Sequence, residues 1–288
     1  MDIFLQQLIN GLTIGSLYAL VALGYTMVYG VMKLINFAHG DLVAFSAFAG
    51  LTIYMQVFGE GVSSLAAVVT VFTFTAAVIA VVGVLLERLA YRPLRTAPRL
   101  SAVVSALGAG LVIQNAVMLI WGPNMKIFPS NLLPSTVYEM GGVVFTFTQV
   151  MILGLSSALM VALFFFINRT KMGTAIRAVA IDQDAAKLMG INVNRVIMLI
   201  FIIGSALGAV AGLFLGIYYR GITFNMGWQY GLNAFVAAII GGIGNIPGAM
   251  VGGLLLGLFN AMISGYISSQ WAETFTFILL IVILIFRP

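Results

Sequence analysis

Residues 196–219 read VIMLIFIIGSALGAVAGLFLGIYY, 24 consecutive positions without a charge. As a helix rising 1.5 Å per residue, such a run is long enough to cross the ~30 Å hydrocarbon core of a bilayer. Gly204, Gly208, Gly212 and Gly216 recur every four positions and so share one side of that helix. Small residues at this spacing let another helix backbone approach closely, because association within lipid depends on packing rather than on exclusion of water. The stripe reads either as ordinary packing inside a bundle or as a surface on which helices slide. Similar apolar runs precede it at 5–31, 42–57, 63–86, 100–121 and 149–167, and follow it at 230–244, 248–267 and 271–286. The pattern predicts an all-α integral membrane protein, a polytopic bundle of eight or nine transmembrane segments formed by residues 1–288 as one domain. Segment 230–244 is short, reaching only ~22 Å. With its neighbour it reads alternatively as two half-helices meeting at Asn245-Ile246-Pro247.

Composition agrees with the runs. The 288 residues are 62% hydrophobic and 7% charged, against about 45–50% and 25% in soluble domains. A soluble enzyme, a disordered chain and a disulfide-built secreted domain are thereby excluded. There is no Cys and one His, which leaves no set of soft or imidazole ligands for a metal. Thirteen Lys and Arg are too sparse for a nucleic-acid surface, but their placement orients the chain. With the N-terminus outside and nine crossings, Lys33, Arg88, Arg92, Arg95, Arg99, Arg169, Lys171, Arg177, Lys187, Arg195 and Arg287 fall inside. Only Lys126 and Arg220 fall outside. The excess of cations on one side predicts a multi-pass protein of a prokaryotic cytoplasmic (inner) membrane, N-terminus out and C-terminus cytosolic. Asp2 and the length of the first apolar run argue against a cleaved signal peptide.

Sequences that carry chemistry are few. No G-x-x-x-x-G-K-[ST], H-E-x-x-H or G-x-S-x-G occurs, so no catalytic residue, metal or bound cofactor is expected of this chain and it is not read as an enzyme. Two interruptions stand out instead. Asn36-Phe37-Ala38-His39-Gly40-Asp41 joins the first two spans, near the inner face by the orientation above. Asp41 there is either the N-cap of the second helix, with Gly40 as the turn, or part of a broken helix that shows polar groups to a cavity. Gly241-Gly242-Ile243-Gly244-Asn245-Ile246-Pro247-Gly248 is the second break: Pro247 disfavours helix before it, and Asn245 caps the helix after it. The two breaks are either unrelated helix ends or the paired interruptions of an inverted-repeat transporter, with the pathway or gate at Asn36, His39, Gly40, Asp41, Gly241, Gly242, Gly244, Asn245 and Pro247. Between spans, 122–148 reads as a turn-rich outer cap. Residues 168–195 form the largest inner segment, with a short helix over 174–189 stopped by Gly190. That helix shows Ala, Leu and Met beside charges, either as a solvated loop or as a docking surface.

Several of these stretches resemble one family. Asp184-Ala185-Ala186, three residues, then Gly190 is similar to the Glu-Ala-Ala…Gly motif by which importer permeases of the ATP-binding-cassette class dock on their ATPases, with Asp in place of Glu. The two interrupted stretches, together with Gly24-Tyr25-Thr26-Met27-Val28-Tyr29-Gly30 and Glu87-Arg88-Leu89-Ala90-Tyr91-Arg92-Pro93-Leu94-Arg95, resemble the branched-chain amino-acid permease family of the LivH type. The likeness runs from about residue 6 to the end, where Arg287-Pro288 stops short of the tail that members usually carry. It implies transport of leucine, isoleucine and valine, with a second permease of the LivM type, two ATPases holding ATP-Mg and a periplasmic or extracellular substrate-binding protein as partners. It also implies that Arg177, Asp184, Ala185, Ala186 and Gly190 form the coupling surface. The same fold carrying urea, short amides or another small solute, or working as a stand-alone channel or ion-coupled carrier, is the alternative reading.

Overall fold

The structure is a computed structural model that describes residues 2–286 apart from 60, 61, 63, 96 and 130. Ser63, the expected first residue of the third span, and Arg287, counted with the inner cations, lie outside the described residues. In chain order the long helices are α1 (Asp2–Met32), α2 (His39–Val57), α3 (Leu65–Leu86), α4 (Arg99–Trp121) and α5 (Phe147–Arg169). Two short helices follow, α6 (Lys171–Ile181) and α7 (Gln183–Leu188), then α8 (Val193–Tyr219), α9 (Met226–Gly241), α10 (Ile246–Tyr266) and α11 (Ala272–Phe286). Among the described residues eight helical segments are long and apolar enough to cross a bilayer, and the chain is a polytopic all-α membrane protein. The 16 residues of α9 reach ~24 Å, so it is the short element that the sequence indicates, beginning four residues before the expected Tyr230.

The helices associate where side chains are smallest. α1 and α10 run antiparallel: Gly11 lies against Leu258, Gly15 against Leu254, Ala19 against Gly253 and Gly30 against Gly244. Residues Leu17, Ala19, Leu20, Ala22 and Leu23 of α1 are fully buried, so α1 is the axis of the bundle. α8 packs on α1, α2 and α3, and three of its four glycines meet helices directly. Gly204 faces the Gly24 backbone, Gly208 faces His39 and Val43, and Gly212 faces Val43 and Ser46, while Gly216 takes Phe128 and Ile222 from the loops. α4, α5 and α11 leave most of their surface outward.

Alternation of the helices separates the cations. Strand β1 (Lys126–Ile127) pairs with β4 (Gly221–Ile222), which puts Lys126 and Arg220 at one end. A hairpin of β2 (Val137–Met140) and β3 (Val143–Thr146) covers the same end. It is pinned to α1 by paired hydrogen bonds between the Gln6 side chain and the Val144 backbone at 2.8 and 2.9 Å. At the other end, Arg95 bonds Asn194 at 2.6 Å and Gln183 donates to the Val31 carbonyl at 2.9 Å. These contacts gather the ends of α1 and α3 and the start of α8, with Lys33, Arg88, Arg92, Arg95 and Arg195, around α6 and α7.

The expected single helix over 174–189 is two helices. Asp182, in extended backbone (φ −151°), caps α7 by accepting the N–H groups of Asp184 and Ala185 at 2.8 and 3.0 Å. A short carboxylate that bonds nearby amides competes with helix continuation and favours a restart at that point.

Candidate functional site

α2 begins inside the bundle. After α1 ends at Met32, Lys33 turns the chain with φ +53° and its ammonium returns to the Gly30 carbonyl at 2.9 Å. Residues 34–38 run back inward, and the buried Asn36 accepts the Tyr91 hydroxyl at 2.9 Å. His39, 2% exposed, sits between Gly24 of α1 and Gly208 of α8; a methyl on Gly24 would overlap the imidazole. Gly24 is eight residues before the end of α1, about 12 Å along its axis. The sequence places Asn36–Asp41 near the inner face and offers Asp41 as an N-cap; the N-cap expectation is corrected, and His39 lies well inside the bundle. The cap residue is Ala38, without a side-chain bond, and Asp41 is the third residue of α2. The reason is the inward return of 34–38, which lets the helix start deep.

Close backbone approach holds this start in place. Gly40 meets Gly227 and Gly231 of α9 so tightly that a methyl on any of the three would strike the opposing backbone. The Tyr25 and His39 rings pack edge to face with centroids 5.0 Å apart. Asp41 is half-buried beside them, and a methyl on Gly110 of α4 would lie 2.5 Å from its Oδ2. Among the described residues no Lys, Arg or His pairs with it. A carboxylate within the span of a membrane bundle and without a cationic partner is costly, which marks the position as a functional candidate.

Asp41 lines a small recess with Tyr25, Phe37, Trp228, Gly231, Leu232 and Phe235. The same Trp228 and Leu232 belong to a cavity of about 470 Å³ that also takes in Asn225, Gln229, Asn233 and Glu273. Gln229 donates to the Glu273 carboxylate, and Asn233 to the Tyr18 hydroxyl at 3.3 Å. A line of polar groups thus leads from the end of the bundle near β4 to its middle.

The late break lies elsewhere. Gly242 and Gly244 have φ of +86° and +95°, backbone that only glycine adopts cheaply. Gly241 and Gly248 touch backbone to backbone. Asn245 caps α10 by accepting the Gly248 N–H at 3.3 Å, and Pro247 follows in the first turn. This break rests on Gly30 and helps to line a cavity of about 360 Å³ with Thr26, Asn168, Ile176 and Arg177. The structure therefore does not bring the two interruptions together. The early one packs on α8 and α9, the late one beside the C-terminal end of α1 and α6.

Of the expected coupling residues, Arg177 lines that cavity, and the others lie on α7 and the turn after it. Arg177 bonds the Ile167 carbonyl. On α7, Asp184 pairs with Lys187 at 2.8 Å in full exposure, Ala185 is exposed and Ala186 is buried, and Gly190 ends the turn with φ +82°. Hydrogen bonds from the Ala185 and Asp184 amides hold the Asp182 carboxyl below its usual range. Ile181, Leu188 and Met189 are 88%, 89% and 83% exposed, an apolar triplet outside the spans.

Sequence reasoning passed over Gly110, Gly227, Gly231, Trp228, Gln229 and Glu273, and met Gly24 and Tyr25 only inside the stretch 24–30 that carries the family resemblance. Gly227 and Gly231 carry a signal, the same four-residue spacing as in α8, hidden by starting the segment at Tyr230. Trp228, Gln229 and Glu273 carry none, since only the packing of α9 against α11 brings them together.

A multi-pass bundle whose helices break around polar groups, with a cavity toward each end, defines a membrane protein of the permease class. The chain belongs to the family described as branched-chain amino acid transport system / permease component, which matches residues 7–284. It is 43% identical over 291 aligned positions, 99% of this chain and 94% of the relative, to the high-affinity branched-chain amino acid transport system permease protein BraD of Pseudomonas aeruginosa. Identity to the LivH protein of the same description from Escherichia coli is 42% over 289 positions, again 99% and 94%. The ribose import permease protein RbsC of Escherichia coli is 25% identical over 264 positions, 89% of this chain and 77% of that protein. No solved structure matches the chain.

Proposed function

We propose that the chain is the membrane-spanning subunit of an ATP-driven importer of leucine, isoleucine and valine. The observation that carries this reading is the near-full-length similarity to BraD and LivH, both named for branched-chain amino acid transport. It sits in a prokaryotic inner membrane with its cation-rich end in the cytosol and the end bearing β1 and β4 outside, as the distribution of Lys and Arg favours. A substrate-binding protein delivers the amino acid to the cavity of Trp228, Gln229 and Glu273, and the path continues past Asp41. A second permease of the LivM type covers part of the outward surface of α4, α5 and α11. Two ATPases, holding ATP-Mg, grip the cytosolic end at Ile181, Asp184, Ala185, Leu188 and Met189. Because α6 shares a cavity wall with Gly244, Asn245 and Pro247, a movement of α6 reaches the late break and α1 directly.

The test is uptake of radiolabelled leucine by the full transporter in proteoliposomes. Asp41→Asn is expected to abolish most uptake while both ATPases still co-purify. Wild-type uptake by Asp41→Asn removes Asp41 from the path, and uptake by the lone chain driven by an ion gradient refutes the ATP-driven reading. The likeness to RbsC supports a second reading in which the same fold carries another small solute. Titrating the cognate binding protein with leucine, urea, short amides and ribose separates the two.

A further inference from the structure

At the end of α3 the helix widens into a single π-helical turn (Glu87–Tyr91) and then a 3₁₀ turn (Arg92–Leu94). These turns lie beside the start of α8, and the two elements enclose a recess of about 280 Å³. Its wall carries Arg88 and Arg92 from the first element and Arg195, Asn192 and Asn194 from the second. Inside-positive orientation explains why cations lie at this end of the bundle. It does not explain why three arginines from segments a hundred residues apart converge on one hollow.

The one acid in the wall is already engaged. Glu87, 2% exposed, forms an ion pair with Arg95, and Arg95 also bonds Asn194. Burial pushes the Arg95 guanidinium below its usual range, Glu87 pulls it back up, and Arg92 lowers it again by like-charge repulsion. Among the described residues no carboxylate pairs with Arg88, Arg92 or Arg195. The first turn of α8 adds the partial positive charge of its free N–H groups; Asn192 accepts only that of Arg195, at 3.1 Å. The hollow is therefore a cup lined by three arginines that no described carboxylate pairs.

Its surroundings decide which anion fits. The cup lies where two helical segments long and apolar enough to cross a bilayer, Leu65–Leu94 and Val193–Tyr219, meet at their ends. Met198 lines it, and Leu85 and Leu89, one turn apart on α3 and its extension, are 48% and 75% exposed. Exposed leucines one turn from a cationic hollow of about 280 Å³ match an amphiphile, with chains along the leucines and headgroup among the guanidinium forks. We propose that Arg88, Arg92 and Arg195 bind the phosphate headgroup of an anionic phospholipid.

The experiment uses the assembled transporter, its native lipid exchanged for phosphatidylcholine and then titrated with phosphatidylglycerol, with retained lipid counted by native mass spectrometry. Wild-type protein is expected to hold phosphatidylglycerol in preference to phosphatidylcholine. Each Arg→Gln change is expected to weaken retention about fivefold and the triple change roughly a hundredfold, at ~1 kcal/mol per cation near the surface. Arg220→Gln, at the other end, should leave retention unchanged. Equal retention by the triple variant overturns the proposal. Displacement of the lipid by millimolar inorganic phosphate assigns the cup to the free anion and overturns the lipid. Loss of the ATPases from the triple variant with lipid retention intact assigns it to a protein partner and also overturns it. A measurement without mutation guards against misfolding: phosphatidylglycerol should protect Arg88, Arg92 and Arg195 of the wild type from phenylglyoxal, and phosphatidylcholine should not. Equal modification in both lipids refutes the site.

Discussion

Gly253→Ala and Gly154→Ala are the same chemical change, and the structure assigns them opposite signs. Gly253 of α10 faces Ala19 at the axis of the bundle, and a methyl there would lie 2.5 Å from the Ala19 Cα and N. Carbon atoms in contact prefer about 3.5–4.0 Å, so α1 and α10 would have to part by ~1 Å. Both sides of the contact are backbone, and no rotamer change relieves it. Overpacking of this kind costs ~1–3 kcal/mol. Alanine returns ~1 kcal/mol through its better helix propensity, which leaves a net loss of up to ~2 kcal/mol. At Gly154 of α5 a methyl would meet nothing within 4 Å, so only the propensity gain of ~1 kcal/mol remains. Thermal loss of monodispersity of the purified chain in detergent should occur at lower temperature for Gly253→Ala and at higher temperature for Gly154→Ala. Shifts of the same sign, or a stabilised Gly253→Ala, would refute the reasoning that backbone contact between α1 and α10 sets the bundle.

Arg95→Ala strands the buried Glu87 carboxylate and should destabilise by ~3 kcal/mol, the low end for a broken buried pair because Arg95 is partly exposed; Glu87→Gln with Arg95→Ala should recover most of it in the same thermal assay. Asp182 caps α7 as a carboxylate held below its usual range, so the cap is fully present above the ordinary aspartate value and fades as pH falls through the depressed one. At neutral pH, Asp182→Ala should speed hydrogen exchange at the Asp184 and Ala185 amides and Asp182→Asn should not; unchanged exchange in the alanine variant removes the cap. Leu188→Glu with Met189→Glu, or Asp184→Lys, is expected to lower ATPase co-purification and uptake together while the chain still inserts; full assembly and transport would sink the coupling surface.

Length, charge and period made most of the scaffold legible. An uncharged run of 24 residues in a chain with 7% charged side chains has no stable place in water, so the existence of the spans did not depend on their neighbours. The cap at Asn245 and the stop at Gly190 are likewise local, since each side chain or backbone angle acts within four residues. The apparent single helix over 174–189 failed for a local reason too: Asp182 bonds the amides just ahead of it and restarts the helix.

Depth and convergence were decided only in three dimensions. Hydropathy counts apolar residues and has no term for the direction a loop takes, so it left open whether Asn36–Asp41 is a capped helix start or a broken helix, where the chain turns inward and starts α2 against Gly24, Gly208 and Gly227. Asp41 beside Gly110, Gln229 bonded to Glu273, and Arg88 and Arg195 lining one recess each join segments far apart in the chain. Such contacts follow from which helix faces find each other once all are packed, a property of the whole bundle that no stretch of residues carries alone.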